Sequence, residues 1–447
     1  MVVSCSSQPY NLKEFTMRYV SPIWHPCSQM QDYEQLPPLS VIGASGAYIE
    51  LASGQTIIDA ISSWWCKSLG HQHPRLKKAL QSQLEKFEHV ILANTTNETI
   101  EALSEKLTQL TKTLKKVMYA GDGSCAVEIA MKMSLHARTI QGDRQRHKFL
   151  ALANGYHGET IGALSVSDVG MYRAPYQPLL FETHFIQPIP YVTSTADPLW
   201  NNCEVIWKQL EPQLAQYAEH TTAVLVEPIV QGAGGMKIYS QDFLRRLRAW
   251  TTQHNIHLIA DEIMTGLGRT GKMLACEHAN IEPEFLCLSK ALTAGWLPFS
   301  AVLTTDAIYD VFYADYKEGK SFLHSHTYSG NVLAASVALA ALQVLEDENL
   351  CQRAAEIGML MRNNMDNIAE KTKKLTNVRG IGAIVAADLI PDGGMSRQGF
   401  DVYRAAIKLG ALLRPLGNTI YWLPPLNVEK DTLDKLSQIT EQALFFR

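Results

Sequence analysis

Short apolar runs that stop at polar or glycine-rich turns set the rhythm of this chain. Ile256–Ala260 ends at Asp261, Phe285–Leu288 ends at Ser289-Lys290, and the buried run in TAVLVEP ends at Glu227. KKVMYA runs into the turn GDGS, and KFLALA into NGYHGET. Runs of four to six apolar residues without alternation predict strands covered on both faces, as in a mainly parallel sheet. Ligands of such sheets sit beyond the carboxyl ends of the strands. Five strand ends therefore carry polar or aromatic groups toward one crevice.

Other stretches show other periods. Residues 41–61 alternate apolar and polar positions around Gly46 and Ser53-Gly54, which predicts a small antiparallel meander. Apolar spacing near 3.6 predicts helices over 74–87 and 97–110, and a helix follows GDGS. SAVLTT predicts a further strand, and the Ala-rich stretch from Asn331 to Leu350 a long helix. Beyond it the pattern predicts helices near 351–374, 398–409 and 430–445 around short strands near 381–389 and 419–423. The expected organisation is an N-terminal segment with the meander (1–73), a large α/β domain (74–330) and a smaller α+β lobe (331–447). Residues 1–40, with Pro22, Pro26, Pro37 and Pro38, read as loop.

Composition narrows the partners. The 447 residues are 46% hydrophobic and 19% charged with net charge −4, so no basic face attracts nucleic acid or anionic lipid, and a small-molecule ligand is expected. Eight scattered cysteines without CxxC indicate neither a zinc site nor a disulfide framework. The N-terminus lacks the charged start and apolar core of a signal peptide, and no run reaches the ~20 residues that span a bilayer, so the expected location is cytoplasmic.

The chemistry concentrates between Asn255 and Pro298. Gly266, Gly268 and Gly271 spell GxGxxG and Gly266–Lys272 spell GxxxxGK, but Met273 stands where a triphosphate loop needs Ser or Thr, and Asp261–Thr265 separates the strand from the glycines. The pairing that makes chemical sense is Asp261 with Lys290. A lysine held among apolar groups forms a Schiff base with an aldehyde, and a buried carboxylate pairs with a protonated pyridine nitrogen. Gly123 and Ser124, at a helix start, supply backbone N–H groups for a phosphate, although Ser there also serves as an ordinary cap. Tyr156 suits stacking on a flat ring as readily as core packing. His157 suits catalysis or a hydrogen-bonded structural place. Arg414 suits a structural ion pair or bidentate capture of a carboxylate. One of the two adjacent tryptophans in SSWW is either a core anchor or a wall for an apolar ligand.

DEIMTGLGRTG, SKALTAG, EPIVQGAGGM and NGYHGET together resemble the class III aminotransferases, pyridoxal-phosphate enzymes of fold type I with the aspartate-aminotransferase architecture. IWHP at 23–26, SSWW at 62–65, GDGSCAVEIAMKM at 121–133 and RPLGNTIYWLPP at 414–425 resemble, within that class, the biotin-synthesis branch. The resemblance implies that 8-amino-7-oxononanoate accepts an amino group, usually from S-adenosylmethionine, giving 7,8-diaminononanoate. It implies Lys290 as Schiff-base lysine and proton carrier, and Asp261 under the pyridine nitrogen. Gly123 and Ser124 would hold the phosphate, with His326 and Thr327 near the cofactor and Thr327 reaching in from the second subunit of a homodimer. Ile263 and Tyr156 would pack near ring and substrate. Trp64, Ser325, Tyr421 and Cys27 would line the substrate pocket, and Arg414 would bind the acceptor's carboxylate. Glu227 and Arg269 match class motifs. Cys27 stands where the S-adenosylmethionine branch usually has Tyr, Glu159 where Asp is usual, and His324-Ser325-His326-Thr327 is closer to a lysine-using branch. Lysine as donor, or another ω-amino acid or diamine aminotransferase activity, is the alternative.

Overall fold

The computed structural model describes residues 21–393 and 397–445; the sequence expectations for residues 1–20 lie outside the described residues. Its centre is a seven-stranded sheet. In spatial order the strands are Leu114–Ala120, Ser300–Thr305, Phe285–Leu288, His257–Asp261, Thr221–Val226, Lys148–Leu152 and His184–Ile186. Ser300–Thr305 runs antiparallel to both neighbours, and the other neighbouring pairs are parallel. The sheet is thus mainly parallel, and it belongs to the α/β class.

The unbroken apolar runs follow from burial on two faces. Ala223 and Leu225 join Ala126, Val127 and Ala130 of helix Gly123–Ile140, whereas Val224 and Val226 join Phe243, Leu244 and Leu247 of helix Gln241–Gln253. Successive side chains of a strand point to opposite faces, so a helix on each side favours apolar residues at consecutive positions. Fully burying each Val or Leu is worth about 1.5–3 kcal/mol.

A second sheet holds the predicted meander. Val41–Ser45, Tyr48–Leu51 and Thr56–Asp59 pair antiparallel, and Ala411–Leu412 adds itself parallel to Thr56–Asp59. A third sheet consists of Leu375–Ile381, Ile384–Leu389 and Thr419–Trp422. The strand expected near 381–389 is thus the second arm of a hairpin. The first arm, LTNVRGI, which the sequence pattern did not mark as a strand, is interrupted by a register shift and by the left-handed Asn377.

Helices Pro74–Leu84 and Glu98–Thr108 pack against Val332–Asp347, which ends before a left-handed Asn349 and is followed by Leu350–Thr372. Asn97 caps the second of these, accepting from the backbone N–H of Ile100 at 3.0 Å. Among the described residues no helix is long and apolar enough to cross a membrane.

Candidate active site

A cavity of about 490 Å³ opens at the carboxyl ends of the parallel strands. Asp261, the last residue of its strand, sits on its wall. Its Oδ2 lies 2.8 Å from Nδ1 of His157 and its Oδ1 accepts the Ile263 N–H at 3.1 Å. Both side chains are buried. Burial works against a charge on His157, but the hydrogen bond and charge of Asp261, aided by Glu227, outweigh it and raise its pKa. His157 therefore holds the Asp261 carboxylate in place.

One strand over, Ser289 turns the chain by donating its hydroxyl to the Phe299 carbonyl at 2.9 Å, and Lys290 follows at the start of a single helical turn. Lys290 keeps a narrow opening to the cavity, with Nζ 5.1 Å from the centre of the Trp65 ring. Loss of hydration lowers its pKa, against the opposing pull of Asp261 and Glu227. A lysine so placed is a better nucleophile than an exposed one.

Glu227 lies on the same wall. Its carboxylate accepts the backbone N–H groups of Tyr156 and Gly232, each at 2.9 Å, and burial pushes its pKa up to about 7. That bond positions Tyr156, whose hydroxyl donates to Glu159 at 2.9 Å. Burial, then the charge of Glu159, pushes the Tyr156 phenol well above its ordinary value, so it stays protonated.

Strand Leu114–Ala120 feeds helix Gly123–Ile140 through Gly121-Asp122, and Asp122 caps the helix by accepting from Cys125 N–H at 3.0 Å. The first N–H groups of a helix have no intrahelical partner. Around them the packing is close. A Cβ on Gly123 would fall 2.9 Å from Ile263, and one on Gly158, whose φ is +126°, would fall 2.1 Å from Ser124 Oγ. Only glycine fits at either place.

The mouth of the cavity combines distant segments. The Arg414 guanidinium donates to the Cys27 carbonyl at 2.6 Å and lies 4.8 Å from the Trp64 ring; these partners are a carbonyl and an indole, not a carboxylate. Tyr421 is buried, accepts from Trp65 Nε1 at 2.9 Å and is pushed up to about 12 by burial. Tyr172 packs edge-on to Tyr156.

Lys290, Asp261, Tyr156, Gly123, Ser124, Ile263, Trp64, Arg414, Tyr421 and Cys27 thus line one cavity. Ser325, His326 and Thr327 do not line it within the single chain. Ser325 and Thr327 are exposed, and the Thr327 carbonyl meets His89 Nε2 at 2.9 Å. Arg269 is also elsewhere: Nη1 donates to the carbonyls of Ala383 and Pro424 at 3.2 and 2.7 Å, strapping the third sheet to the glycine-rich turn, and burial lowers its pKa to about 9. Sequence reasoning missed Trp65 and Tyr172. The first adjoins a residue it did select; nothing local marks the second.

The residues present fit pyridoxal phosphate: a lysine in reach of the cavity, a carboxylate fixed on its wall, a glycine-tight helix start and aromatic sides. Fold and site define a fold-type I pyridoxal-phosphate transferase. Residues 29–444 match the family model "Aminotransferase class-III", and the chain belongs to the class III aminotransferases. It is 39% identical over 429 residues to the adenosylmethionine-8-amino-7-oxononanoate aminotransferase of Helicobacter pylori, covering 95% of each chain. The crystal structure of the enzyme of that name from Methanocaldococcus jannaschii superimposes with TM-score 0.87 at 32% identity, covering 95% of this chain and 96% of that one. A PLP-bound amine transaminase from an uncultivated Pseudomonas species gives 0.86 at 30%, covering 96% and 99%.

Proposed function

We propose that this protein transfers an amino group to the ketone of 8-amino-7-oxononanoate, giving 7,8-diaminononanoate for biotin synthesis, with S-adenosylmethionine as donor. The observation that carries the acceptor is Arg414. Its guanidinium, which has no carboxylate partner among the described residues, stands at the mouth between Cys27 and Trp64 and faces the same cavity as Lys290. That arrangement suits a substrate with a terminal carboxylate at one end of an aliphatic chain and a carbonyl at the other. The name shared by the Helicobacter and Methanocaldococcus relatives supports the same acceptor.

Pyridoxal phosphate, when bound, supplies an electron-withdrawing ring that takes up the electrons released as a proton leaves the substrate carbon. The chain's own groups do the rest. Lys290 presents an amine whose pKa burial lowers, placed to attack a carbonyl carbon and then to carry a proton to and from the substrate carbon. Asp261, steadied by His157, offers a negative carboxylate suited to a protonated ring nitrogen. The first N–H groups of helix Gly123–Ile140 suit the phosphate. Tyr156, Trp64 and Tyr421 exclude water from the sides.

The proposal includes a homodimer in which Ser325, His326 and Thr327 complete the partner's cavity. Ile91, Leu323 and Tyr328, exposed by 63%, 89% and 65%, surround those residues in sequence or space and form an apolar surface that a second copy would cover. A cytoplasmic location is supported by the free thiols at all seven described cysteines.

A second donor, lysine, is favoured by Cys27 and by the residue types of the His324–Thr327 loop, in which Ser325 and Thr327 are exposed. Cys27 puts a small side chain at the mouth where a larger ring would narrow it. Mixing the holoenzyme with S-adenosylmethionine or with lysine, and following the cofactor's absorbance, separates the two. Conversion by S-adenosylmethionine supports the proposal, conversion by lysine alone replaces the donor, and failure of both with no amination of 8-amino-7-oxononanoate refutes it. If Cys27 weakens use of S-adenosylmethionine, Cys27→Tyr should raise kcat/KM for that donor several-fold; unchanged donor kinetics would discount the position.

A further inference from the structure

Asp59 does not line the cavity, yet it holds the turn that does. It is the last residue of strand Thr56–Asp59 and is fully buried. Its Oδ1 accepts the Ser63 backbone N–H at 2.7 Å, and its Oδ2 accepts the Ser63 hydroxyl at 2.8 Å and meets His71 Nε2 at 2.9 Å. Above it the backbone takes an unusual path. Ser62, Ser63 and Trp65 have φ of 50°, 59° and 67°, and Ser63 has ψ of −80°. The Ser63 values fall near the positive-φ γ-turn, rare and strained for any residue with a Cβ. Three such residues in four positions persist only where the surroundings impose them.

What the strained turn delivers is the two tryptophans. Trp64 reaches the mouth, against Arg414, and Trp65 turns inward, donates to Tyr421 and lies against Lys290. With relaxed backbone angles, adjacent residues at this corner would not serve both places. We propose that Asp59 is a positioning residue of the aminotransferase site: its carboxylate clamps Ser63 and so fixes Trp64 beside the carboxylate-binding arginine and Trp65 beside the lysine. This inference rests on reading the cavity as the transamination site. His71 orients the carboxylate so that both oxygens face Ser63, and charge-assisted bonds are the stronger kind.

The test uses holoenzyme and two readouts, one of which does not depend on the reaction. In Asp59→Ala, amide hydrogen exchange across residues 62–66 should accelerate while the adjoining sheet is unchanged. In the same protein kcat/KM for the carboxylated acceptor should fall about 10- to 100-fold, the range for a catalytic group displaced by an ångström. Asp59→Asn, which keeps an acceptor for Ser63, should recover part of the loss. Asp59→Ala/Ser63→Gly should recover more, because glycine occupies that turn without strain. Unchanged exchange in Asp59→Ala refutes the clamp whether or not the wild type transaminates. Faster exchange with unchanged kinetics in an active enzyme refutes the positioning role. If Asp59→Ala does not fold, Ser63→Ala, which removes one bond only, must show the same changes in smaller measure; identity with wild type would refute the clamp. A wild type that aminates no 8-amino-7-oxononanoate would instead remove the reading of the cavity, leaving exchange to decide on the clamp.

Discussion

Substituting Gly158 probes how tightly the proposed phosphate turn is built. At φ +126° a residue with a Cβ is strained by about 1–3 kcal/mol. Packing adds to this. The new methyl would lie 2.1 Å from Ser124 Oγ, 2.7 Å from its Cβ and 3.1 Å from its Cα. Rotating the hydroxyl relieves the first clash only, so the start of helix Gly123–Ile140 must shift or the 154–160 loop must withdraw. Either movement separates the helix N–H groups from Tyr156 and His157, which precede Gly158 in that loop and line the same cavity. If the strain is carried by the bound state, Gly158→Ala should weaken pyridoxal phosphate about 5- to 150-fold, the equivalent of 1–3 kcal/mol. Titration of cofactor-free protein with pyridoxal phosphate, followed by absorbance, measures this. Gly170→Ala, where a methyl meets nothing within 4 Å, is the control and should leave affinity unchanged. A Gly158→Ala protein that unfolds at the wild-type temperature and binds the cofactor within twofold of wild type would refute the reasoning.

Three further outcomes are expected. Lys290→Ala should lose the absorbance of cofactor attached to lysine and all measurable turnover while retaining its fold; normal colour and activity would remove Lys290 from the chemistry. Arg414→Gln should raise KM for the acceptor about 10- to 100-fold, since hydrogen bonds to a charged group are worth about 1.5–3 kcal/mol, and an unchanged KM would place the carboxylate elsewhere. Glu262 is buried, accepts the N–H groups of Ala275 and Cys276 at 2.6 and 2.8 Å, and is pushed by burial from 4.5 up to about 7. A carboxyl with a raised folded pKa stabilises fully below its unfolded value and loses that contribution as pH rises through the folded one. Wild type should therefore lose about 1–3 kcal/mol relative to Glu262→Gln between pH 4.5 and 8, at about 1.4 kcal/mol per pKa unit. Denaturant unfolding of cofactor-free protein across that range measures it; a constant or growing gap in favour of wild type would contradict the assignment.

The strand ends were legible because burial on both faces leaves a strong pattern. Asp261 and Lys290 each close an apolar run, and adjacency of those strands brings them together. The direction of Ser300–Thr305 was not legible, since an apolar strand covered on both faces reads alike either way. Asp59 also closes an apolar run, TIID, and the rule that singled out Asp261 applies to it equally. Its role is not legible because the apolar Ala60-Ile61 follow it directly, so no turn is marked at Asp59, and positive φ at Ser62 and Ser63 leaves no mark in residue type. The choice of Trp64 over Trp65 as pocket wall had the same root: only the turn reveals that both face the cavity. Ser325, His326 and Thr327 came from resemblance alone, and their proposed site needs a second chain.

The parallel pairing of Ala411–Leu412 with Thr56–Asp59 has a consequence for the order of assembly. Trp65 and Tyr421, bonded to each other, stand 356 positions apart. Synthesis at about 5–20 residues per second puts roughly 20–70 seconds between them. A nascent chain emerging from the ribosome carries Lys290 well before Arg414 and Tyr421, so the reactive amine exists for a time without its mouth. The wall of the cavity that Arg414 and Tyr421 line is therefore completed last, when that end of the chain docks against its beginning.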